Sequence, residues 1–109
     1  MDTLEELNNL TKELDIQVNN LPKTGKEYAE AYTKYRVALA KKMLELRNDN
    51  TPVTICSDLA RGDIEVARLK FKEISKEAVY KANLEGINAT KLRIKVLENQ
   101  YDKEYTNVN

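Results

Sequence analysis

From Asp63 to Tyr105 the chain contains no proline, and Ile64, Ala67, Phe71, Ile74, Ala78 and Ala82 recur at three- and four-residue spacing. That spacing puts them on one face of an α-helix. Asp63 suits its N-cap, because a short carboxylate can accept a hydrogen bond from a free N–H of the first turn. The stripe loosens near Asn83, Gly86 and Asn88 and resumes through Leu92, Val96 or Leu97, Tyr101 and Tyr105. A helix over 63–105 would be about 60 Å long at about 1.5 Å per residue.

An element of that length needs partners, and the remaining sequence offers helices. Tyr28, Tyr32, Tyr35, Leu39, Met43 and Leu46 repeat by fours and threes, and alanines between them favour a helix over 26–47. Asn48-Asp49-Asn50-Thr51-Pro52 should end it, since these side chains compete for backbone hydrogen bonds and proline cannot join a helix interior. A short helix over 54–61 is predicted, with Thr54 as cap and Gly62 closing it in a left-handed conformation. Upstream, Leu4, Leu7, Leu10 (or Thr11), Leu14 and Val18 form a narrow stripe on an acidic helix. Asn19-Asn20-Leu21-Pro22 and Lys23-Thr24-Gly25 then predict a hinge or kink.

The fold expected is therefore all-α: an elongated, coiled-coil-like antiparallel helical hairpin spanning 22–109, with an additional N-terminal helix over 1–21 and a short helix in the connecting turn. Three Gly and two Pro are too few for the turns of a β-sandwich or barrel. Set antiparallel, the 26–47 helix covers only about half of the long one, leaving roughly residues 86–105 bare. Either the N-terminal helix or a second subunit could cover them. Asp2, Glu5, Glu6, Glu13 and Asp15 would then face Lys91, Arg93, Lys95 and Lys103. The excess of apolar stripe predicts a homodimer or higher oligomer.

The sequence holds 18 Lys plus Arg against 18 Asp plus Glu, so no net field draws the whole molecule to nucleic acid or anionic membrane. No apolar run is long enough to span a bilayer, and the acidic start is unlike a signal peptide. The lone Cys56 fits a reducing compartment, so a cytoplasmic location is expected, and the thiol reads as a small apolar residue. Histidine is absent, which removes the commonest general base and metal ligand. Glycines 25, 62 and 86 are isolated and make no phosphate loop. Glu73 with Glu77 and Glu98 with Asp102 share helix faces, but lysines interleave them and they read as solvated. Arg61-Gly62-Asp63 matches an adhesion tripeptide, and cap and turn chemistry accounts for it. Neither a catalytic group, a cofactor nor a metal is expected.

The cluster that carries most information is Tyr28, Tyr32 and Tyr35 with Lys34, Arg36, Lys41 and Lys42. Tyrosine can stack on a base while Lys or Arg neutralises phosphate, so these are candidate ligand or partner contacts, for nucleic acid or nucleotide. The plainer reading continues the Leu39–Met43–Leu46 stripe into the hairpin core.

The run Tyr35-Arg36-Val37-Ala38-Leu39-Ala40-Lys41-Lys42, the Pro52-Val53-Thr54 turn, the Leu59-Ala60 helix and a long polar helix ending in Tyr101 resemble small helical accessory proteins of bacteriophages and prophages from low-GC Gram-positive bacteria. The resemblance covers residues 26–105. It implies a phage accessory role and transfers no site residues. The irregular seam, the unequal helix lengths and the lack of catalytic groups make the leading expectation a non-enzymatic protein that binds a host or phage protein through an exposed helix face, in the host cytoplasm if phage-encoded.

Overall fold

The computed structural model describes residues 2–108, and the side chains of 2–106. The described residues form three α-helices: α1 (Thr3–Asn48), α2 (Val53–Gly62) and α3 (Ile64–Val108). The protein is an all-α helical hairpin. It divides into two compact units, Lys23–Tyr80 and the residues through Pro22 together with those from Lys81 on.

The expected separate N-terminal helix is instead the first part of α1, which runs unbroken through Pro22. The helix break predicted at 19–25 is absent. Pro22 is exposed, as are Val18, Asn19 and Asn20 before it, so the carbonyl left without a helical donor can bond water. Opposite that exposed side, positions 3, 7, 10, 14, 17, 21, 24, 28, 31, 35, 38 and 42 are all buried or half-buried. Alternating steps of four and three are the heptad spacing of a coiled-coil seam, and this continuous seam outweighs the local breakers.

Each end of α1 is satisfied locally. Asp2 Oδ1 accepts a 2.7 Å hydrogen bond from the Glu5 N–H, with Glu5 and Glu6 in the first turn suiting the positive end of the helix dipole. At the other end Thr51 N–H donates to Leu46 O and Asn50 N–H to Arg47 O, with Asn50 at φ 65°. This is a Schellman closure made by asparagine. Gly62, expected to be left-handed, is an ordinary last residue of α2, and no described glycine has positive φ. Thr54 lies inside α2, whose N-cap is Pro52 with no side-chain cap.

Within the 23–80 unit, α1 and α3 run antiparallel: Lys42 pairs with Asp63 at 3.5 Å and Lys76 with Glu27 at 3.1 Å. Here α2 is a third layer. Ala60, fully buried, joins Tyr35, Leu39 and Val66 in the core. Asp63 closes α2 through its N–H to Ala60 O and opens α3 by accepting the Val66 N–H at 3.2 Å. That bond holds the Asp63 carboxyl below its usual range, with Lys42 adding to the effect.

In the other unit the early and late segments are also antiparallel. Thr3 Oγ1 donates to Glu104 at 3.1 Å, and Asn83 Nδ2 donates to the Gln17 carbonyl at 3.0 Å. The acidic start of the chain, which the sequence left to either an intramolecular or a second-subunit partner, thus packs within its own chain.

The buried face of α3 corrects the sequence reading. Ile64 is 87% exposed, Phe71 74% and Ile74 55%, and Ala67, Ala78 and Ala82 are exposed too. The face that packs carries Val66, Leu69, Glu73, Lys76, Tyr80, Asn83, Ile87, Thr90, Ile94 and Leu97. Ile64 and Val66 differ by two residues, about 200° around the helix, so the expected stripe points outward. Hydropathy missed the seam because polar residues occupy several of its positions.

Candidate functional site

Several polar groups on or beside the α3 seam are engaged across or next to it. Glu73, 5% exposed, lies 2.8 Å from Lys70, and this contact is the first cause lifting the Lys70 ammonium above its ordinary range. Lys70 also sits 4.7 Å from the Tyr35 ring centroid, a cation–π contact. Glu77 accepts the Tyr28 hydroxyl at 2.6 Å. That hydrogen bond, more than any other influence, pushes the phenol up to about 12. Tyr28 and Tyr80 rings lie 5.9 Å apart in a tilted pair, with Gly25 leaving room for Tyr80.

The structure scatters the seven sequence-selected residues. Tyr28, Tyr35 and Lys42 face α3: Tyr35 is buried, and Lys42 is engaged by Asp63 and Glu45. Tyr32 is 46% exposed. Lys34, Arg36 and Lys41 are exposed, with Lys34 and Lys41 a heptad apart and Arg36 on another face. Tyr28 and Tyr35 thus follow the plainer core reading, and no continuous tyrosine-and-base platform forms around them.

Lys34 lines a small hollow of about 160 Å³ with Lys72, Lys76, Glu27, Glu30 and Ala31. Glu27 pairs with Lys76 at 3.1 Å and Glu30 with Lys26 at 3.9 Å, so the basic groups there are largely offset by acids. Cys56 is buried, its thiol 3.4 Å from the Met43 carbonyl. Among the described residues no cluster of three or more His, Cys, Asp or Glu could hold a metal ion, and no helix is long and apolar enough to cross a membrane.

Two apolar surfaces stand out that the sequence reading did not identify as surfaces. One is the outward α3 stripe Ile64, Phe71 and Ile74. The other is an open groove of about 650 Å³ in the unit formed by the residues through Pro22 and those from Lys81 on, lined by Leu10, Leu92, Val96 and Leu97 together with Glu6, Asn9 and Arg93. A sequence signal for the true seam did exist: Val66, Glu73, Tyr80, Ile87, Ile94 and Tyr101 follow one another at seven-residue steps. Taking that row as the inner face would have turned Phe71 outward.

Comparison with protein-family models, curated proteins and solved structures finds no match to this chain.

Proposed function

We propose that the protein is a non-enzymatic helical interaction module, a phage-type accessory factor that binds a host or phage protein in the host cytoplasm. The observation that carries this reading is the outward stripe of α3. Ile64, Phe71 and Ile74 are 87%, 74% and 55% exposed on one helix face, at the spacing of a second packing seam. Large apolar side chains lined up in water are the usual mark of a surface that another molecule covers. A partner helix laid along them would meet anchors at successive turns. The phage assignment itself rests on the sequence resemblance over residues 26–105.

Tagged wild-type protein and a Phe71→Glu, Ile74→Glu variant, with matched helix content by circular dichroism, test the reading in a lysate of infected host. A phage or host protein retained by the wild type and lost from the variant supports it. Equal capture by both, or tight salt-sensitive binding of labelled single-stranded DNA, would overturn it in favour of another surface or of nucleic acid.

A further inference from the structure

We propose that the groove between the first part of α1 and the last part of α3 is a homodimer interface, in which two copies pack groove to groove as a four-helix bundle. This inference uses a different surface from the α3 stripe and stands independently of the partner-binding reading.

The 23–80 unit has α2 as its third layer, but the unit holding the chain ends has two helical segments only. Its core is correspondingly thin. Among its described residues Ile87 is the one buried hydrophobic side chain, while Leu10 and Leu97 stay half-buried. Leu92 is 64% exposed and Val96 57% along the same groove. Two amphipathic helices with their seam half in water are completed by another helical layer.

Charge selects a second copy as that layer. Glu6 lies on the α1 wall of the groove and Arg93 on the α3 wall. Glu13 stands a heptad beyond Glu6, and Lys103 a heptad beyond Val96, both exposed. At these positions the α1 side carries acids and the α3 side carries bases. A two-fold axis along the groove lays α1 of each copy over α3 of the other, antiparallel to it, so that acids meet bases on both sides. A uniformly acidic or basic partner would be repelled by one of the walls.

The test uses the full chain and its mass in solution. Wild type should sediment at twice the 12.5 kDa chain mass. Reversing the acidic wall (Glu6→Arg, Glu13→Arg) or the basic wall (Arg93→Glu, Lys103→Glu) should weaken association by about tenfold or more. Mixing the two reversed variants should restore dimers, because each then offers what the other lacks. All four positions lie on helix surfaces, and Val96→Glu, which puts a charge on the apolar lining of the groove, gives a second disruption. Wild type that stays at 12.5 kDa up to millimolar concentration would overturn the proposal. So would dimers that survive both wall reversals, or reversed variants that fail to pair when mixed.

Discussion

The hydroxyl of Tyr28 on α1 donates a 2.6 Å hydrogen bond to the Glu77 carboxylate on α3. Ionising the phenol would forfeit this hydrogen bond, and would also set a second negative charge beside the carboxylate, so its proton is held to about pH 12. The unfolded chain releases that proton near the ordinary phenol value of 10.0, so above this pH the unfolded state binds fewer protons than the folded one. The contribution of Tyr28 is fully present below about pH 10 and is lost as pH rises toward about 12. Urea unfolding across this window should show wild type losing stability faster than Tyr28→Phe. Parallel pH profiles for the two proteins would disprove the coupling.

Phe71 and Leu39 are both strongly apolar, yet truncating them should have very different consequences. Leu39→Ala removes a side chain only 4% exposed in the cluster with Tyr35, Ala60 and Val66, and should cost about 2–5 kcal/mol. Phe71→Ala alters a side chain 74% exposed, and should stay within about 0.5 kcal/mol in chemical denaturation of the monomer.

Two helical glycines separate propensity from space. A Cβ at Gly86 would meet the Gln17 amide nitrogen at 3.3 Å, the far end of a flexible side chain. Gly86→Ala should therefore keep most of the roughly 0.8–1.0 kcal/mol that alanine gains over glycine in a helix. At Gly25 the same Cβ would meet the Tyr80 ring at 3.3 Å, itself set against Tyr28. Gly25→Ala should lose that gain to repacking, so that thermal melting ranks Gly86→Ala above wild type and Gly25→Ala no higher than wild type.

Gln17 sits on the seam with its side-chain oxygen buried and without a hydrogen-bond partner. Replacing it by leucine removes the desolvated oxygen, whereas Asn83 still bonds the Gln17 backbone carbonyl. Gln17→Leu should raise stability by about 1 kcal/mol, measured by denaturant midpoint.

Pro22 tests why α1 stays whole. Its exposed position lets water satisfy the freed carbonyl, but the ring still costs the helix. Pro22→Ala should stabilise the protein by up to about 3 kcal/mol without changing helix content. A fall in stability would mean that the proline is required where it stands.

Helix content was legible in the sequence because it follows from local terms. Few glycines and prolines, alanine-rich stretches and a capping Asp63 act within one or two turns, and α2, the end of α1 near Asn48 and the start of α3 all fall where those terms place them. Which face of a helix packs is not local. Ile64, Phe71 and Ile74 make the most apolar row of α3, yet they face water. Glu73, Lys76 and Asn83 lie inward because Lys70, Glu27 and Gln17 stand where their charges and amides need them. Hydropathy cannot register that compensation, since it scores each residue before its neighbours across the seam are known. The candidate cluster dispersed for the same reason: Tyr28 to Lys42 are contiguous in sequence but occupy different faces of a helix whose inner side is set by α3.

The sequence by itself determined that the chain is helical, where it turns, and that its two long segments can complement each other in charge. Tertiary structure decided that Pro22 does not divide α1, that the acidic start packs against the end of the same chain, and that the apolar row of α3 is left outside. Local backbone preferences cost or gain about 1–3 kcal/mol at single residues, whereas a seam is the sum over many turns. The sum therefore overrides an individual proline or asparagine and selects the face on which Glu73, Lys76 and Asn83 meet Lys70, Glu27 and Gln17.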